Sequence, residues 1–125
     1  MDEKHGLENL RVWQQAIDLA VRVHQEALPH LPREERHALA LQLRRAVQSI
    51  SANIAEGYGR YTFKDSLHFY YIARGSLEET YSHLLLAYRL GYLSKATFDA
   101  LAADIHNLRR ALNGYLKFIK EHPQQ

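Results

Sequence analysis

The sequence has no cysteine in its 125 residues. Disulfide frameworks and thiolate-ligated zinc are therefore excluded, and a reducing compartment suits the chain. Proline is almost as scarce: of three, two lie in "LPHLP" at 28–32 and the third is Pro123. No apolar run approaches the roughly 20 residues of a membrane-spanning helix. The opening "MDEKHGLENL" is acidic and polar, unlike the apolar heart of a signal peptide. These absences predict a cytoplasmic protein with no membrane association. Charge imbalance is also missing. A net charge of +2 is mild beside dedicated nucleic-acid modules, so any such activity must rest on where the cations cluster.

What is present is helical. Apolar residues make up 46% and charged residues 24%, the balance of a single globular domain spanning 1–125. Between the breaks at 28–32, "GYGRYT" (57–62) and "LGYLS" (90–94), apolar residues recur every three or four positions. The spacing predicts helices at about 8–28, 33–57, 63–90 and 95–121. The first carries Leu10, Trp13, Ile17, Ala20, His24 and Leu28 on one face; the second carries Leu39, Leu43, Val47, Ile50 and Ile54. Pro32, Glu34 and Glu35 suit the opening of the second helix. Thr62 with Asp65 forms a capping box for the third, Gly91 a left-handed stop, and Ser94 a cap for the fourth. Short links between four helices predict an all-α, up-down-up-down antiparallel bundle.

The second helix has a polar side. Gln42, Arg45, Ser49, Asn53 and Glu56 run beside its apolar stripe, and little of the remaining surface is strongly hydrophilic. Enclosed polar groups need partners. Arg74 and Glu78 on the third helix are candidates, with the small Gly75 and Ser76 permitting close approach. A polar network linking Gln42, Arg45, Ser49, Asn53, Glu56, Arg74 and Glu78 is expected, fixing helix register rather than holding a ligand. "GYGR" reads as a helix stop. It lacks the third glycine of a dinucleotide fingerprint and the Lys-Ser/Thr of a P-loop.

Enzyme chemistry finds little support. Glu34–His37 matches the Glu-x-x-His spacing of di-metal bundles and Asp65–His68 approaches it, but both fall in first turns among polar residues. His24 reads as a satisfied residue on an apolar face. No metal, cofactor or catalytic residue is expected, and the chain reads as non-enzymatic.

Two surfaces point outward. On the third helix, Phe69, Ile72, Ala73, Ala87 and Leu90 lie opposite the core stripe. Self-association through this face is expected, with a protein-partner groove as the alternative. Basic residues form two groups: Arg44, Arg45, Arg60 and Lys64 near Tyr58, Tyr61 and Phe63, and Arg109, Arg110, Lys117 and Lys120 on the fourth helix. Cations with nearby aromatics can hold phosphates and stack bases, so these eight are candidate RNA or DNA contacts. Ordinary solvated charge is the other reading.

"LRVWQQAIDLA" (10–20), "LQLRRAVQSISANIAEGYGR" (41–60), "ARGSLEE" (73–79) and "LGYL" (90–93) together resemble the bacterial four-helix-bundle proteins encoded in intervening sequences of large-subunit ribosomal RNA genes. The accessory protein of diversity-generating retroelements is similar. The resemblance implies a protomer that assembles into a barrel-like homopentamer, with nucleic-acid binding as the proposed activity. By motif match it marks Arg44, Arg45, Asn53, Glu56, Arg60, Gly75, Ser76 and Glu78 as signature residues.

Overall fold

The computed structural model describes residues 6–123. Its helices are α1 (Arg11–Arg22), α2 (Leu39–Tyr58), α3 (Phe63–Arg89) and α4 (Lys95–Glu121), with no strand among the described residues. None of them is long and apolar enough to cross a membrane.

Each boundary has a local cause. Thr62 Oγ1 accepts the Asp65 N–H at 3.2 Å and opens α3, the first half of the expected capping box. At its far end Gly91 takes φ +83°. Its N–H donates to the Tyr88 carbonyl and that of Tyr92 to Ala87, which is a Schellman stop. Ser94 Oγ accepts from the Thr97 N–H at 3.1 Å and opens α4.

Two expected boundaries differ. The first helix is regular only over Arg11–Arg22; it widens into a π turn at Val23–Ala27 and tightens into a 3-10 turn at Leu28–His30. Pro29 has no N–H for the carbonyl one turn back, and its ring crowds that carbonyl. The second helix begins at Leu39 rather than 33. Residues Arg33–Glu35 form a separate 3-10 turn behind Pro32, and Ala38 breaks the path at φ −122°, ψ −105°. Ala38 stands at the N-cap without a side-chain cap, and Glu35 takes up the first helical N–H instead. Its Oε1 accepts the Leu39 N–H at 3.3 Å while Oε2 accepts the Tyr92 hydroxyl at 3.0 Å.

The helices run antiparallel. Along α3, Tyr88 meets Phe98, Tyr81 meets His106, Glu78 meets Arg109, Arg74 meets Asn113, Tyr70 meets Tyr115 and Phe63 meets Phe118. The order of partners on α4 reverses step by step. α2 packs on α3, and α1 packs on both α2 and α4, the adjacency of a four-helix bundle. Leu43, Val47, Ile50, Ile54, Leu77, Leu84, Leu101, Ile105, Leu108 and Leu112 fill the centre and are almost wholly buried. Along α1 and the π turn after it the buried line is Val12, Ala16, Leu19, Val23 and Ala27. The expected stripe of Leu10, Trp13, Ile17, Ala20, His24 and Leu28 forms its half-buried flank. Both series fit a helical period, and the smaller side chains took the seam.

Gly57 has a packing role. A β-carbon there would lie 2.9 Å from Tyr70 Cε1 and 3.2 Å from the Ser66 carbonyl oxygen. "GYGR" does end α2, but its first glycine serves the close approach of α3. Gly75 does not: it is exposed, and a β-carbon there meets nothing within 4 Å.

Candidate functional site

The polar side of α2 divides into separate contacts. Ser49 is the hub. Its Oγ accepts from Ser76 Oγ at 2.8 Å and from Asn53 Nδ2 at 2.9 Å, and Asn53 also donates to the Ser49 carbonyl at 2.8 Å. Thr80, fully buried, donates to the Ser76 carbonyl at 2.8 Å. This short chain ties α2 to α3. Glu56 stays exposed and pairs within its own helix end, with Arg60 at 3.2 Å. Gln42 and Arg45 are exposed as well.

Arg74 and Glu78 turn the other way, toward α4. Arg109 grips Glu78 through Nε at 2.5 Å and Nη2 at 2.8 Å, a forked geometry suited to a guanidinium. That hydrogen bond holds the Glu78 carboxyl below its ordinary range, against the opposing effect of partial burial. Arg74 donates to Asn113 Oδ1 at 3.2 Å. The expected single network is therefore two: hydroxyl and amide groups between α2 and α3, and ionic groups between α3 and α4. Residues 74 and 78 lie one turn apart beside the α3 core stripe, and the side of that stripe they occupy faces α4.

Of the candidate phosphate contacts, Arg44, Arg45, Lys64, Arg110, Lys117 and Lys120 are exposed and enter no ion pair among the described residues. Arg60 and Arg109 are committed to Glu56 and Glu78. The Arg60 guanidinium also lies 4.3 Å from the Phe69 ring centre. Glu34, His37, Asp65 and His68 all sit on the surface. His24 is half-buried, with Nδ1 against the Ala20 carbonyl at 2.8 Å.

The outer apolar face of α3 is narrower than expected. Ala73 and Ala87 are fully buried and belong to the core. They are small residues on the seam of a broad inner face, which accounts for the apolar breadth of the helix. Phe69 is half-buried under Arg60. Ile72 (39% exposed) and Leu90 (49%) do face outward, joined by Leu86 (48%), which the sequence reading left out.

Other contacts lie outside those expectations, several of them because their partners are remote. Arg22 binds Asp104 across α1 and α4 and Glu26 within its own segment. Tyr70 packs edge-on to Tyr115 with ring centres 5.4 Å apart, and burial pushes both hydroxyls upward in pKa. Tyr71 carries two cations, Arg74 and Lys120, each 5.1 Å from its ring centre. Its place one residue from Tyr70 was the available signal.

Two clefts border α4. One, of about 480 Å³, lies against α1 and is lined by Gln15, Asp18, Leu19, Val21, Arg22, Asp104 and Asn107. The Oε1 of Gln15 is buried and has no hydrogen-bond partner among the described residues. The other, also about 480 Å³, opens between α3 and α4 and is lined by Arg74, Asn113, Leu116, Lys117, Lys120 and Glu121.

The model of the 23S rRNA-intervening sequence protein family matches residues 8–114. No curated protein was found to match the sequence. A solved structure from Bacteroides thetaiotaomicron VPI-5482, a protein with unknown function from the S23 ribosomal protein family, is similar in fold. It has a TM-score of 0.76 and 24% identity, covering 85% of this chain and 98% of that one.

Proposed function

Because the chain belongs to the 23S rRNA-intervening sequence protein family, we propose that it is a non-enzymatic, cytoplasmic helical bundle that self-associates, as a homopentamer, and binds RNA or DNA weakly through its basic surfaces. One observation carries the binding: Arg44, Arg45, Lys64, Arg110, Lys117 and Lys120 are exposed cations with no carboxylate committed to them among the described residues. Such side chains are free to replace counterions on a phosphate backbone. Repeating a modest patch around an assembly raises its effective strength without new contacts. Self-association is supported by Ile72, Leu86 and Leu90, which expose large apolar surface along one side of α3.

A mobility shift of the full chain with single-stranded and duplex RNA and DNA at about 50 mM and 200 mM salt tests the binding. Retention at the lower concentration and its loss at the higher is the expected result. No retention at low salt overturns the reading. Sizing in solution tests the assembly. A compact monomer at micromolar concentration rules it out and hands the α3 face to a different protein, the alternative occupant of the same surface.

A further inference from the structure

The cleft between α3 and α4 has an unusual charge pattern. Arg74, Lys117 and Lys120 line it against a single acid, Glu121, and none of the four is in an ion pair among the described residues. Lys117 and Glu121 stand one helical turn apart, where pairing is ordinarily available, yet they do not pair. The cations come from two helices, so no local helix chemistry explains their convergence. Tyr71 holds two of them, with Arg74 and Lys120 each 5.1 Å from its ring centre. Such contacts fix a cation while leaving its hydrogen-bond donors free. Arg74 uses one N–H on Asn113 Oδ1, which leaves the Asn113 amide NH2 uncommitted among the described residues. Apolar Leu116 floors the cleft. The volume, about 480 Å³, falls in the range of ligand clefts.

We propose that this cleft is a phosphodiester site, in which Arg74, Lys117, Lys120 and Asn113 hold a backbone phosphate of a single nucleic-acid strand, with Tyr71 positioning two of the cations. The inference rests on the functional reading above and narrows it to one place. A strand fits better than a free anion because the cations continue past the cleft. Arg110 lies further back along α4 and is exposed. Lys64 joins the other end, where its N–H donates to the Pro123 carbonyl at 3.3 Å. From 110 to 120 the row is about 15 Å long, more than one phosphate occupies.

The test is fluorescence anisotropy of the full-length protein with labelled oligouridylate and oligodeoxythymidylate of about 12 nucleotides, across a salt series. The Lys117→Gln, Lys120→Gln double variant should weaken binding about tenfold and reduce the salt slope by about 1.4, two contacts at about 0.7 each. Arg74→Gln should weaken it further. Tyr71→Leu should bind less tightly, whereas Tyr71→Phe, which keeps the ring, should bind like the wild type. Arg44→Gln with Arg45→Gln, outside the cleft, should leave the α4 contribution to the slope intact. Circular dichroism and thermal melting confirm that each variant is folded. If the wild type binds and the cleft variants keep its affinity and slope, this inference fails while the functional reading stands. If the wild type does not bind at low salt, both fail. Displacement of either strand by an equal concentration of inorganic phosphate groups would make the cleft a free-anion site and overturn the strand assignment. Comparison of the two oligonucleotides identifies RNA or DNA as the preferred source of the phosphate, and either preference supports the site.

Discussion

At the scale of single residues, Gly57 shows how two opposing effects are weighed. Alanine there would gain about 0.5–1 kcal/mol in helix propensity. Its β-carbon, however, would sit 2.9 Å from Tyr70 Cε1, with the Ser66 carbonyl behind it at 3.2 Å. Tyr70 is 1% exposed and packed on Tyr115, so it has little freedom to give way. Overpacking typically costs about 1–3 kcal/mol, and the clash should win. Gly57→Ala is expected to lower the urea midpoint by an amount equivalent to about 1 kcal/mol or more, with an unchanged m-value. An equal or higher midpoint would show that the ring moves aside. The glycine pair is legible in sequence as punctuation, whereas the demand made by Tyr70 is not. That demand depends on a contact across two helices, and spacing along one helix cannot report it. The same holds for Arg109, which reads as a surface cation until Glu78 is found opposite it.

At the scale of helices, periodicity served best where a helix has one inward face. The expected apolar stripe of α2 is buried residue for residue, and α4 buries Leu101, Ile105, Leu108 and Leu112 at the same helical period. On α1 two adjacent series share one period, and only packing chose between them. On α3 the inner face is wide enough to take in Ala73 and Ala87, and the outer apolar face narrows to Ile72, Leu86 and Leu90. The α3–α4 seam yields a pH prediction. The Arg109 hydrogen bond holds the Glu78 carboxyl below its ordinary range, where an unfolded glutamate titrates at about 4.3. A depressed carboxyl stabilises the fold above its unfolded pKa, and that contribution fades as pH falls through the lower folded value. Wild type should therefore melt above Glu78→Gln at about pH 7, and the gap should shrink as the pH falls below the unfolded value of about 4.3. Because the Glu78 side chain is 52% exposed, solvent screening keeps the effect to about 1 kcal/mol or less. A gap that persists at acid pH would mean the glutamine variant disturbs packing instead.

At the scale of the whole molecule, one chain buries a continuous core and still leaves Ile72, Leu86 and Leu90 in water. If copies cover this face, mass action must raise the melting temperature with protein concentration. A hundredfold increase from about 1 µM should give a measurable rise, and Ile72→Asp with Leu90→Asp should abolish it. A concentration-independent melt of the wild type would contradict self-association. The architecture of the protomer was legible because each helix carries its own period and its own caps. The count of copies is set by the angle at which one subunit meets the next, and no residue of a single chain encodes that angle by spacing. The basic surfaces were legible only as a list of cations. Which of them are spent internally, as Arg60 and Arg109 are, depends on the fold.

The broadened turn at Val23–Ala27 has a consequence for length changes in the gene. Its wider winding advances the chain by a smaller angle per residue, and so brings Ala27 back onto the line begun by Val12 and Ala16. Losing one amino acid there would restore ordinary winding with Val12, Ala16 and Leu19 still turned to the core, because a π turn absorbs one extra residue. Losing one within Arg11–Arg22 has no such slack and would swing everything upstream of it by roughly 100°. The bend is thus where the first rod best absorbs the loss of a codon, and the regular stretch before it is where it cannot.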